Sequence, residues 1–201
     1  MNTLIFATNN QHKVDEIRQV LGTSFEIITL KEAGIDIDIP EPHDTLEANA
    51  SEKSSTIYKL TTKNCFSEDT GLEVAALHGE PGVKSARYAG EIKSFKTNVD
   101  KLLQNMATTE NRQAQFRTVI SLIIDNKEIQ FEGICEGEII REERGNGGFG
   151  YDPVFVPAGS SLTFGEMSIQ EKSAFSHRKK AMDKLISFLQ SKDMASFVVD
   201  K

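Results

Sequence analysis

Cysteine is scarce in this 201-residue chain: Cys65 and Cys135 are the only two. Two cysteines make no disulfide framework and no CxxC pair marks a zinc site, so a reducing compartment is expected. Basic charge is short as well, with 23 Lys and Arg against 30 Asp and Glu and a net charge of −7. That balance argues against gripping a nucleic-acid polymer through its phosphates. It leaves room for a small anionic ligand, for which a few local lysines suffice. No apolar run approaches the roughly 20 residues a membrane span requires. The opening "MNTLIFATNN" has no basic flank and too brief an apolar stretch for a signal peptide. A cytoplasmic protein with no membrane partner is expected. Also missing are a GxxxxGK[ST] P-loop, an internal repeat and a Ser–His–Asp or Cys–His arrangement, and His12, His43, His78 and His177 are not spaced as a metal triad.

What is present is a mixture of strand and helix signals. "TLIFA" (3–7) reads as a buried strand, and from His12 the pattern turns helical, with Val14, Ile17, Val20 and Leu21 on one face and Gly22 as terminator. "FEIITL" (25–30) is a second strand, and the acidic, proline-bearing stretch 34–44 a loop. Asp44 with Glu47 reads as an N-cap pair opening a helix to about Leu60. A strand from Cys65 is expected to break at Gly71, and a turn-rich segment covers 79–90. A helix over 94–106 precedes a long hairpin, 115–124 and 128–140, around Asn126–Lys127. Two helical pieces, capped at Ser168 and Ser176, finish near Gln190. The order predicts an α/β fold with an elongated, mixed central sheet flanked by helices.

Four segments carry candidate chemistry. "ATNNQHK" (7–13) runs from a strand into a helix, whose first turn offers unpaired N–H groups to phosphate. Taken alone, it reads first as a strand-to-helix turn with a capping asparagine. "SEDTGL" (67–72) sets Glu68 and Asp69 at a strand end, where carboxylates hold Mg²⁺ or merely cap a turn. Neighbours on a strand point to opposite faces, so both address one site only if Gly71 bends the chain. "EKSAFSHRKK" (171–180) holds Lys172, His177 and Arg178, which converge only if the helix breaks near Phe175–Ser176; a solvated basic face is the other reading. "GNGGFGYDP" (145–153) places Phe149 and Tyr151 around Gly150 in a loop rich in glycine, suited to a ring stacked between an aromatic face and close backbone. Taken alone, Phe149 reads first as a core anchor for the loop.

In this order, "ATNNQHKVDEI", "SEDTGLEVAALHGEPGVKSARYAG", "GGFGYDPVF" and "EKSAFSHR" resemble the inosine triphosphate pyrophosphatase family over nearly the whole chain. The resemblance implies one nucleoside-triphosphate pyrophosphatase domain over 1–201, with two lobes, a deep cleft between them, and a homodimer. It implies Mg²⁺-dependent cleavage of non-standard purine triphosphates (dITP, ITP, XTP) between the α- and β-phosphates. Carried over by residue, Thr8, Asn9, Asn10, Gln11, His12 and Lys13 hold the triphosphate, Asp69 is the catalytic base and a metal ligand, and Thr70 touches substrate. Glu41 and Glu68 complete the implied metal set. Phe149, Gly150, Tyr151 and Asp152 match the base-binding segment, and Lys172, His177 and Arg178 the residues that read the purine. "TLEANA" (45–50) departs from the family's "TFEENA": Ala48 replaces a glutamate, which weakens any metal role for Glu47. Arg87 in "SARYAG" receives no role. A pyrimidine-directed pyrophosphatase and a non-catalytic nucleotide sensor stay open beside this reading.

Overall fold

The computed structural model describes residues 3–21, 26–90 and 94–191. Gly22 and Phe25 lie outside them, as do the side chains of Val20 and Leu21. Among the described residues the strands and α-helices are β1 (Thr3–Phe6), α1 (Gln11–Leu21), β2 (Glu26–Thr29), α2 (Leu46–Thr61), β3 (Cys65–Val74), β4 (Pro81–Gly82), α3 (Phe95–Asn105), β5 (Gln113–Ile124), β6 (Lys127–Ile139), β7 (Phe155–Pro157), α4 (Ile169–Phe175) and α5 (His177–Gln190). The strands form one sheet in the order β2-β1-β3-β5-β6-β7, with β4 on β3. It is mixed: β1 runs parallel to β2 and β3, whereas β3/β4 and β6/β7 are antiparallel. The α/β expectation holds.

The chain divides into two compact units, Met1–Asp69 with Thr118–Gly133 and Arg178–Lys201, and Thr70–Arg117 with Ile134–His177. In the first, β1 is buried on both faces, as a central parallel strand should be. Leu4 and Phe6 pack with Val14 and Ile17 of α1 and Ala181, Met182 and Leu185 of α5. Ile5 and Ala7 pack with Cys65 and Ile57 of α2. The period of two thus sends alternate residues to different helices. In the second unit one core gathers Leu72, Val74, Val99, Leu102, Phe116, Phe155 and Phe164.

Three local expectations are corrected. The hairpin turn is Asp125–Asn126, both at positive φ (48° and 66°), so β6 already includes Lys127. The residues tolerate the left-handed region that a two-residue hairpin needs. Helix α2 is capped by Thr45, in extended conformation, whose side chain accepts from the Ala48 N–H; Asp44 lies one residue too early. Ala48 therefore occupies N3, where a glutamate would complete a capping box, so the departure from "TFEENA" falls on a capping position.

The third correction concerns Gly71. β3 runs unbroken through it. A Cβ there would stand 2.6 Å from the Gly82 carbonyl oxygen of β4, so glycine is needed for close strand approach. Gly71→Ala should lower stability by about 1–3 kcal/mol, the usual cost of forcing an extra carbon into packed backbone. A thermal melt equal to wild type would contradict this.

Candidate active site

Because β3 continues through Gly71, strand alternation sends Glu68 and Asp69 to opposite faces. Each carboxylate meets different cations. Glu68, fully buried, receives the Arg178 Nε at 3.0 and 2.9 Å on its two oxygens and Lys13 Nζ at 3.1 Å. Asp69, 6% exposed, takes Lys53 Nζ at 2.9 Å, and the same ammonium donates to Glu41 at 2.7 Å. All six groups belong to the first unit: three carboxylates and three cations. Helix α1 brings Lys13, α2 brings Lys53, and the first turn of α5 brings Arg178.

The electrostatics separate the two carboxylates. Burial would raise Glu68, but the Arg178 and Lys13 charges outweigh it and hold the carboxyl below its usual range. For Asp69 burial wins: aided by the Glu41 charge, it leaves the carboxyl above its usual value despite Lys53 and Lys13. Burial by itself would lower Lys53, yet Asp69 and Glu41 together raise it, so this ammonium stays charged. A buried carboxylate with a raised pKa is a proton acceptor suited to catalysis.

At the α1 entry, the Thr8 hydroxyl accepts the Asn10 N–H at 3.1 Å and Asn10 Oδ1 accepts the Lys13 N–H at 3.3 Å. The Asn9 amide donates to the Ile37 carbonyl at 3.0 Å, and Gln11 to Asp15 at 2.7 Å. His12 is exposed. The bonds of Thr8, Asn9, Asn10 and Gln11 shape the turn that opens α1.

The second unit holds the aromatic segment. Asp152 Oδ2 accepts both the Phe149 N–H and Lys172 Nζ at 2.8 Å. Gly148 makes this possible: at φ 73° a Cβ would sit 2.1 Å from that same oxygen. The loop's own carboxylate thus requires glycine at this position. Lys172 Nζ lies 5.0 Å from the Phe149 ring centroid and 5.3 Å from that of Phe164. Tyr151 turns into the core, its hydroxyl donating to the Ser85 carbonyl at 2.9 Å. His177 is buried and stacks on Phe116, ring centroids 4.8 Å apart. The expected break is present: Ser168 and Glu171 form a capping box on α4, which ends at Ser176. Thr70 and His177 of this unit adjoin Asp69 and Arg178 of the other along the chain.

Lys53 was invisible to motif reading, although a signal existed. The buried stripe of α2 is Leu46, Asn49, Ala50, Lys53, Ser54 and Ile57. Helical periodicity puts all six on one face, three of them polar where apolar residues belong. Buried polar groups need partners, and here the partners are Glu41 and Asp69. Among the described residues no three His, Cys, Asp or Glu side chains gather into a metal cage. Two carboxylates nevertheless converge on one cation, and an all-oxygen pair suits Mg²⁺, which takes one or two carboxylates and keeps waters.

The Ham1 family model matches residues 4–188. The chain belongs to the Ham1 family. One relative, from Porphyromonas gingivalis and named dITP/XTP pyrophosphatase, is 51% identical over 190 residues, covering 94% of this chain and 98% of that protein. Another of that name, from Flavobacterium psychrophilum, is 47% identical over 188 residues, covering 94% and 99%. The solved Staphylococcus aureus Ham1 protein aligns with a TM-score of 0.86 at 39% identity, over 94% of this chain and 98% of that one. The Ham1 assignment agrees with the resemblance in the sequence, and the α/β architecture is common to both structures. No described helix is long and apolar enough to cross a membrane.

Proposed function

We propose that this protein hydrolyses non-standard purine nucleoside triphosphates, dITP and XTP among them, to the nucleoside monophosphate and pyrophosphate. The names of its Ham1 relatives support the substrate class. The observation that carries the chemistry is the meeting of Asp69 and Glu41 on Lys53, with Asp69 pushed toward basicity by burial. Asp69 takes a proton from the attacking water; the water oxygen bonds to the α-phosphorus, and the bond to the bridging oxygen breaks as pyrophosphate leaves. Lys13 and the α1 N-terminus hold the phosphates.

The six charged groups already balance one another, so a triphosphate adds negative charge that the protein alone does not neutralise. That supports a divalent cation, Mg²⁺, held by Asp69 and Glu41; when bound it supplies neutralisation and orientation of phosphate oxygens. Glu68 is spent on Arg178 and Lys13 and is not proposed as a ligand. A homodimer rests on the family resemblance, and a cytoplasmic location on the scarcity of cysteine. Measuring pyrophosphate release from dITP with and without Mg²⁺, against dTTP, tests the reading. Turnover of dTTP equal to dITP would favour the pyrimidine-directed alternative, and no release a nucleotide sensor.

Base choice is assigned to the second unit's set. Lys172 offers only donors, and Asp152 and two aromatic rings fix its ammonium. A donor matches the 6-oxygen of hypoxanthine or xanthine and faces the 6-amino group of adenine donor to donor. Lys172→Met should therefore narrow the ITP-to-ATP ratio of kcat/KM by about 10- to 100-fold, the worth of one charged hydrogen bond. Equal losses on both substrates would move Lys172 out of base recognition.

A further inference from the structure

Asn49 is 1% exposed on the buried stripe of α2. Its Oδ1 accepts the His43 N–H at 2.9 Å and its Nδ2 donates to the His43 carbonyl at 3.0 Å. One carboxamide thus engages both backbone groups of one residue, as a neighbouring strand would, and fixes it in two directions. The segment it grips, 35–44, has no regular secondary structure of its own. Two residues before His43 stands Glu41, flanked by Pro40 and Pro42. Proline fixes φ, so few free torsions lie between the clamp and that carboxylate.

The other end of the linkage lies on the same helix. Lys53, one turn after Asn49, donates to Glu41 at 2.7 Å and to Asp69 at 2.9 Å. The helix is itself tied to β3 two residues before Asp69, where the Ser67 hydroxyl donates to the Ala50 carbonyl. Glu41 keeps 29% of its side chain exposed, so burial alone does not hold it. We propose that Asn49 is a positioning residue: it locks the 41–43 backbone to α2 and so sets Glu41 on Lys53 beside Asp69. This rests on the reading of Glu41 as part of the catalytic cluster.

A double-mutant cycle on the full-length chain tests it. Asn49→Ala and Glu41→Gln should each lower kcat/KM for dITP by about 10- to 100-fold, the scale of a misplaced catalytic group. The double variant should be no worse than the poorer single one, because both remove one linked function. Amide hydrogen exchange across 36–44 should quicken in Asn49→Ala. Asn49→Asp keeps the acceptor for the His43 N–H and loses the donor to its carbonyl, so it should fall between wild type and Asn49→Ala on both readouts. It carries the test if the alanine variant does not fold. Fully multiplicative losses, or unchanged exchange across 36–44, would overturn the clamp. Wild-type turnover in Glu41→Gln would instead overturn Glu41's place in the cluster, a separate failure because exchange reports the clamp independently.

Discussion

Asp69→Asn is expected to lower kcat for dITP by about 10²- to 10⁴-fold, the range a positioned general base supplies. The amide preserves shape and can still lie beside Lys53, but it neither accepts the proton of the attacking water nor offers a full charge to a divalent cation. Stability should follow a different course. Burial already disfavours the Asp69 carboxylate, and Glu41 remains as a partner for Lys53. The variant should therefore fold and melt cooperatively while being nearly inactive. Near-wild-type turnover would remove Asp69 from the chemistry. A protein that loses activity and fold together would make it a structural carboxylate.

Why Asp69 was legible in the sequence and Lys53 was not is a matter of spacing. Asp69 sits in a short motif with Glu68 and Gly71 that stands out in the sequence, although β3 continues beyond it to Val74, and the period of two predicted that the two acids part company. The expectation that Gly71 would reunite them failed because its lack of a side chain serves the close approach of Gly82 on β4, eleven residues away in sequence. Lys53 and Glu41 are twelve residues apart, joined through a loop with no periodicity of its own. Only the polar interruptions of the α2 stripe hinted that something charged had to be met there. In the glycine-rich loop the composition announced an unusual backbone, but the use of Gly148 to admit the Asp152 carboxylate depends on three-dimensional closure. Capping was the reverse case: Ser168 with Glu171 was readable because both partners lie within one turn.

Glu68→Gln is the other change with a large expected effect, and its effect should be mainly on stability. The Arg178 side chain is 2% exposed, and its Nε rests on the two Glu68 oxygens. Neutralising the acid leaves a buried guanidinium without the charge that compensates its desolvation, a loss of about 3–5 kcal/mol when one partner of a buried pair is removed. The sign with pH follows from the folded carboxyl lying below its usual value. Its stabilisation is fully present above the unfolded pKa of about 4.3 and is lost as pH falls through the lower folded value. Wild-type metal-free protein should therefore lose stability across that acid window, and Glu68→Gln should lack Glu68's share of the slope. Combining Glu68→Leu with Arg178→Met should recover most of the stability, since paired apolar replacements of a buried ion pair are often neutral. Turnover of ITP should remain low, because the family resemblance gives Arg178 a substrate contact that Met cannot make. Were Glu68 instead a direct metal ligand, Glu68→Gln would melt like wild type and raise the Mg²⁺ concentration needed for half-maximal activity. Melting curves and Mg²⁺ titrations of the same variant separate the two roles.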